Sequence, residues 1–327
     1  MKTTDRKKFR QKLLHWYRAQ ARDLPWRHTT DPYPVWLAET MLQQTVVATV
    51  IPYYHRFLAA FPTIQHLAAA DEQQVLHLWQ GLGYYSRARN LHKCAQVITQ
   101  NYGGQFPQTA AELQKLPGIG PYTAQAIMAF AYNEPAAVVD GNVERVMSRL
   151  YTVETPLPES KPTLKDYAEN LADPENGCVY NNAIMELGAT VCTPKNPKCL
   201  ICPVSDLCGA TGQDPASYPR RRPKKARPVK YGLAHIATNH VGQIYLRQRP
   251  ATGLLASLWE VPWIESATPP TDAPHDVKHI FTHFELRLWL SRADAEALTA
   301  DCQPFAINNL PPLSTLMQKV LQKADVL

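Results

Sequence analysis

The sequence predicts two domains, an all-α domain followed by a smaller α+β one, and three observations lead there. The chain has 327 residues, 45% of them hydrophobic, enough for two cores at roughly 100–200 residues per domain. Apolar residues recur at helical spacing almost without a break from about residue 6 to residue 209. Beyond residue 230 the texture changes to short runs of β-branched, aromatic or alternating residues. No repeat of about 20–50 residues suggests a solenoid or propeller. No run approaches the roughly 18 unbroken apolar residues of a membrane span, and the basic residues 1–10 lead into no apolar secretory stretch. A cytoplasmic protein is expected.

Phe9, Leu13, Trp16 and Tyr17 share one face of a first helix, and Val143, Val146, Met147 and Leu150 share one face of a later one. Asp31-Pro32, Phe61-Pro62, Gly103-Gly104 and Pro117-Gly118 read as turns between helices. The helical domain is expected over 1–213 and a basic linker over 214–230. The linker's charges are Arg220, Arg221, Arg222, Lys224, Lys225, Arg227 and Lys230, and with no amphipathic period it reads as extended. The second domain, 231–327, is expected to hold strands at 232–238, 243–247, 258–264 and 283–290 and a closing helix near 313–321. Residues 1–230 carry 27 basic and 19 acidic side chains, and residues 231–327 carry 7 and 9. The basic portion fits a polyanionic partner such as nucleic acid, or simply a solvated surface.

Four of the seven cysteines, Cys192, Cys199, Cys202 and Cys208, fall in one run with six, two and five residues between them. An odd total, so crowded, argues for metal ligation in a reducing compartment rather than for disulfides. Four soft thiolates suit zinc or an iron–sulfur cube. A single compact run with one Cys-x-x-Cys favours iron–sulfur over the paired knuckles of zinc modules. Lys195 and Lys198 would project from that loop as phosphate contacts or as ordinary surface lysines. Cys94, Cys178 and Cys302 read as small core residues.

The stretch Leu116-Pro117-Gly118-Ile119-Gly120-Pro121-Tyr122-Thr123-Ala124 joins helical segments at 110–115 and about 121–132. Gly118 and Gly120 permit positive φ and close backbone approach, and Pro121 suits a first helical position. Such a turn offers backbone amides to a phosphate, or is a plain connection. Gly81-Leu82-Gly83 lacks the third glycine of a dinucleotide site. It reads as a turn introducing Tyr84-Tyr85-Ser86-Arg87-Ala88-Arg89, with an aromatic wedge and phosphate-binding Arg87 and Arg89, or else core tyrosines and surface arginines.

Two carboxylates could do chemistry. Glu39 stands in an otherwise uncharged helical stretch among Val35, Trp36, Leu42 and Gln43. Burial would raise its pKa and make it a proton donor near neutral pH, whereas a place in the first helical turn would explain it by the helix dipole alone. Asp140, in Val139-Asp140-Gly141-Asn142, sits where a helix N-cap belongs, and could also face a developing sugar cation. The 101 positions between them do not say whether they meet.

As a set, these motifs resemble the helix–hairpin–helix DNA glycosylases that carry a [4Fe–4S] cluster. Trp36 to Thr45, the Gly-Leu-Gly-Tyr-Tyr turn and the appended domain resemble the adenine DNA glycosylase (MutY) family in particular. The resemblance is most specific over 24–208. It implies a monomeric, monofunctional enzyme that removes adenine mispaired with 8-oxoguanine or guanine in double-stranded DNA. Glu39 would protonate adenine N7 and Asp140 would stabilise the sugar cation, supported by Tyr122 and Asn142. Trp26, Arg27 and Leu42 would line the adenine pocket. Gln44, Thr45, Leu82 and Tyr84 would contact the oxidised guanine.

The alternative, an endonuclease III-like enzyme, has a lysine where this chain has Tyr122, and that lysine is its Schiff-base nucleophile. A non-catalytic DNA-binding module is a third reading. The second domain resembles a Nudix-like lesion reader through Gly253 to Pro262 and His279-Ile280-Phe281-Thr282-His283. Phe281, Thr282 and His283 would touch the lesion, with Thr282 standing where serine is common. The span from Pro262 to His279 is too short for the Glu-rich helix of a Nudix hydrolase.

Overall fold

The computed structural model describes residues 3–223, 226–295, 298 and 300–327; Lys224 and Lys225 of the expected linker lie outside the described residues. The helices are α1 (Thr3–Gln20), α2 (Pro32–Leu42), α3 (Val47–Ala60), α4 (Ile64–Ala69), α5 (Glu72–Trp79), α6 (Ser86–Tyr102), α7 (Ala110–Leu113), α8 (Pro121–Ala131), α9 (Gly141–Leu150), α10 (Lys161–Leu171) and α11 (Gly177–Thr190), then α12 (Thr315–Lys323) near the C-terminus. The strands are β1 (Val229–Ile236), β2 (Ile244–Gln248), β3 (Trp259–Glu260), β4 (Trp263–Ser266), β5 (Val277–Ile280), β6 (Glu285–Arg292) and β7 (Cys302–Phe305). By contact the chain forms two units, one of residues 1–54 with 97–223 and the other of 55–96 with 224–327.

In the first unit, local signals set the helix starts. Asp31 accepts from the Tyr33 amide ahead of α2, where Pro32 takes the first position. Thr109 caps α7, and Asp140 caps α9 by accepting from the Asn142 and Val143 amides. The expected apolar face of α9 is buried against Phe9 and Leu13 of α1 and Ile184 and Leu187 of α11. A second cluster joins Val35 of α2 to Ala126, Ala129 and Phe130 of α8 and to Val138. It thereby fixes α2, α8 and the approach to α9 against one another. The linker is not free up to Arg222. Leu157 donates to the Arg220 carbonyl at 2.9 Å, and Arg220 and Arg222 pair with Glu154 and Glu159.

In the second unit, β4-β1-β6-β5 form a four-stranded sheet in which β1 runs parallel to β6 and the other pairs are antiparallel. An antiparallel β3-β2-β7 sheet stands beside it. Leu316, Met317, Val320 and Leu321 of α12 cover Ala234, Ile236, Leu286 and Leu288. The strand expected at 258–264 splits at Val261-Pro262 into β3 and β4, which join different sheets; proline has no N–H for a ladder and marks such a break. Strands β5 and β7 carry no clear alternating signal, and β7 tolerates Pro304 because it is an edge strand. The helices of this unit are tied to its sheets by Tyr85 Oη donating to the Leu313 carbonyl (3.0 Å) and Arg89 donating to the Ala256 carbonyl (2.6 Å).

Candidate active site

A cavity of about 850 Å³ opens in the first unit, within the usual range for ligand sites. Glu39, Tyr122, Asp140 and Asn142 all line it. Glu39 lies in the last turn of α2, not the first, so the helix dipole does not explain it. Only 7% of its surface is exposed. Burial pushes its carboxyl up to about 7, against the opposing hydrogen bond from Tyr122, and the nearby charge of Asp140 pushes the same way. Tyr122 Oη donates to Glu39 Oε2 at 3.1 Å, and burial with the two neighbouring carboxylates holds the phenol well above its ordinary range.

Asp140 is held by three donors: the Asn142 and Val143 amides at 2.9 and 2.8 Å and Asn142 Nδ2 at 2.7 Å. Burial raises its pKa, and these bonds, with the Arg145 charge, oppose the rise. Arg145, which sequence reasoning passed over, donates to Asn142 Oδ1 at 2.9 Å, to the Gly188 carbonyl at 2.7 Å and to the Cys192 carbonyl at 2.7 Å. A cysteine of the metal run is thus joined to the Asp140 shell through one buried guanidinium.

Trp26, Arg27 and Leu42, the residues expected around the base, line the same cavity with both carboxylates, and so do Gln44 and Thr45, which were expected on the lesion side. Trp26 packs edge-on against Tyr54. Gln44 adopts a φ of 60°, which turns the chain sharply at the end of α2. Arg27 donates to Asn182 Oδ1 (3.2 Å) and Glu186 Oε2 (2.8 Å), and Arg22 binds Glu186 as well. Glu186 is fully buried. Burial pushes its pKa up, but the two arginines more than offset this and leave it below the ordinary range. Its partners are about 160 positions away in the chain, and no local signal announces it. Cys178, read as a core residue, also faces the cavity.

The hairpin joins α7 to α8. Gly118 needs its glycine, with φ +75°, but Gly120 is extended at φ −86° with open space where a Cβ would stand, so it offers bare backbone rather than special torsion. Ile119 between them is buried. In the second unit, Leu82 is buried and Tyr84 is about half exposed, its hydroxyl 3.3 Å from Thr282 Oγ1. Arg87 does not present its guanidinium to solvent as expected. It is buried over Trp79 and donates to the Leu82 and Gly83 carbonyls at 3.2 Å, and Arg89 is likewise spent on Ala256. Phe281 stacks on Phe284, leaving Thr282 and His283 exposed at the turn between β5 and β6.

Cys192, Cys199, Cys202 and Cys208 are free of disulfides and half-buried. Among the described residues no three His, Cys, Asp or Glu side chains could hold one metal ion, yet these four thiols lie within electrostatic range of one another. Four soft thiols grouped on one loop have the donor chemistry of an iron–sulfur cube. Lys195 and Lys198 are exposed on the loop.

Residues 37–172 match the HhH-GPD superfamily of base excision DNA repair proteins, 192–208 the iron–sulfur binding domain of endonuclease III, and 233–323 the NUDIX domain. The adenine DNA glycosylase of Rattus norvegicus is 36% identical, over 85% of this chain and 69% of its own length. The chain belongs to the adenine DNA glycosylase family. A second relative of that name, from Buchnera aphidicola subsp. Schizaphis graminum, is 34% identical over 86% of both chains. The chain spans 64% and 65% of the mouse and human adenine DNA glycosylases. Among solved structures, a thermostable thymine-DNA glycosylase aligns with a TM-score of 0.60 and 30% identity, covering 64% of this chain and 97% of its own. The family makes this chain a DNA N-glycosylase of base excision repair with a [4Fe–4S] cofactor. Among the described residues no helix is long and apolar enough to cross a membrane.

Proposed function

We propose that this enzyme removes adenine mispaired with 8-oxoguanine or guanine in duplex DNA, acting as a monofunctional glycosylase and a cytoplasmic monomer. One observation carries the reading. A nearly dry carboxyl that titrates near 7 shares a cavity with a second carboxylate held by three donors. An extruded adenine enters the cavity among Trp26, Arg27 and Leu42. Neutral Glu39 gives its proton to adenine N7, which turns the base into a neutral leaving group. The glycosidic bond breaks with its electron pair passing to the base, and ionised Asp140 faces the cation left on the sugar. Water adds at the anomeric carbon and surrenders a proton to the now ionised Glu39, which restores the acid. Tyr122 orients Glu39, and Asn142 orients Asp140.

The domain over 1–213 does this chemistry, 214–230 links it onward, and 231–327 reads the lesion opposite. Gln44, Thr45, Leu82, Tyr84, Phe281, Thr282 and His283 serve on the lesion side. Gly118, Gly120, Lys195 and Lys198 hold phosphates, while Arg87 and Arg89 brace the Leu82–Tyr84 turn and the Ala256 loop. Cys192, Cys199, Cys202 and Cys208 would hold the cluster, which would order the loop that carries both lysines; the protein's own groups perform every proton transfer. Duplexes with adenine opposite 8-oxoguanine, guanine or thymine, incubated with enzyme and then treated with alkali, test this. Cleavage at the adenine of the first two, abolished in Glu39→Gln, is expected. Equal cleavage by the variant removes Glu39 from the mechanism, and nicking before alkali favours the endonuclease III-like reading.

A further inference from the structure

Helix α11 faces both halves of the site. Towards the cavity it presents Cys178, Asn182, Met185 and Ala189. Asn181 and two glycines contact the segment that leads to Asp140. Asn181 is 1% exposed, and its amide is fully engaged. Oδ1 accepts from the Val138 amide at 2.9 Å, and Nδ2 donates to the Ala136 carbonyl at 2.7 Å and to the Gly177 carbonyl at 2.8 Å. An asparagine side chain carries one acceptor group and two N–H donors, so every hydrogen is used. It acts as a substitute strand, pinning both backbone groups of a segment that has no sheet to join.

The glycines flank this clamp. A Cβ on Gly177 would stand 2.1 Å from the Glu134 carbonyl oxygen, and one on Gly188 would stand 2.7 Å from Asn142 Cβ. Residues 177, 181 and 188 follow the helical repeat along one side, so the run from Glu134 to Asn142 lies along one side of α11. The other side of the same helix holds Arg27 through Asn182 and Glu186. A rigid helix therefore fixes the separation between the base pocket and the carboxylate beside the sugar.

We infer that Asn181 is a positioning residue for the reaction: by clamping residues 136–138 to α11 it sets the distance of Asp140 from the base pocket. The inference rests on the catalytic reading of Asp140 given above. A misplacement of about 1 Å in such a group costs on the order of 100-fold in rate.

The test uses cluster-loaded full-length enzyme, with Asn181→Ala, Asn181→Ser, Gly188→Ala and Asp140→Asn, each corrected for active sites and iron content. Single-turnover adenine release at saturating enzyme is compared with affinity for a duplex carrying a non-cleavable adenine analogue. The expected result is a rate lowered about 10- to 100-fold in both Asn181 variants, with affinity within twofold of the parent. Gly188→Ala, which displaces Asn142 directly, shows the size of the split that a disturbed Asp140 shell gives, and Asn181→Ser decides the matter if Asn181→Ala does not fold. Rates within twofold of the parent, or rate and affinity falling together, overturn the inference. Should Asp140→Asn itself release adenine at the parental rate, the reading of Asp140 fails instead.

Discussion

Replacing Glu39 by glutamine should make the protein more stable at alkaline pH while abolishing its chemistry. The carboxyl titrates near 7 in the folded chain against about 4.3 in an unfolded one. Between those values the unfolded chain has lost its proton and the folded chain keeps it, so wild-type stability falls as pH rises through this window and levels off above about 7. The total loss is about 4 kcal/mol at roughly 1.4 kcal/mol per pH unit. Glutamine has the same shape, stays neutral, and still accepts from the Tyr122 hydroxyl. The variant should therefore exceed the parent by only about 2 kcal/mol at pH 5.5 and by about 4 kcal/mol at pH 8. At about 2–4 °C per kcal/mol, that is a gap in Tm that widens by several degrees between the two. Thermal unfolding of cluster-loaded protein at both pH values measures it, and comparing the two cancels any pH-independent effect of the substitution. An equal gap at both pH values, or a variant less stable at pH 8, would mean that Glu39 is already ionised at neutrality, and the proton-donor argument would fail.

Three further outcomes follow from the same geometry. In Tyr122→Phe the bond that favours ionised Glu39 is gone, so the alkaline limb of the rate–pH profile should move up by about 0.5–1 unit, roughly 1 kcal/mol; a limb that stays or moves down contradicts this. Arg145→Gln removes a guanidinium from Asn142, Gly188 and Cys192 at once, and both iron content and excision rate should fall together. A loss of one without the other would show that the two ends are independent. Gly118→Ala forces a side chain into a φ of +75°, a cost of about 1–2 kcal/mol. Duplex binding should weaken alike for matched and mismatched sequences, and titrations with both, over a range of salt, would reveal any sequence-dependent loss that argues otherwise.

The sequence exposes what depends on neighbours along the chain. The apolar setting of Glu39 is visible at i±3 and i±4, the cap at Asp140 from its place before an amphipathic run, and the cluster from cysteine spacing. It does not expose what depends on distant chain. Glu186 reads as an ordinary helical glutamate until Arg22 and Arg27 arrive on it, and Arg145 reads as surface charge until α11 and the Cys192 loop close over it. Arg87 misleads for the opposite reason: an arginine beside tyrosines after a glycine turn looks solvent-facing, yet its guanidinium satisfies the carbonyls of that very turn. The broken strand at Pro262 escapes notice because β-branched and aromatic content runs on across the break.

Helix polarity separates the tasks of the two carboxylates. Glu39 is buried and Asp140 half-buried, and burial alone would push both towards the neutral form. Asp140 caps α9, where free amides and the positive end of the helix dipole favour a negative charge, and its three donors are supplied by the next residues in the chain. Glu39 sits in the final turn of α2, at the negative end of a dipole, among apolar neighbours and with the Tyr122 phenol donating to it. The same residue chemistry at opposite helix ends therefore yields a proton carrier and a fixed anion. Exchanging the two side-chain environments, not the side chains, is what would exchange their roles, so moving either helix end by a single turn should disable the enzyme without removing any residue that touches the base.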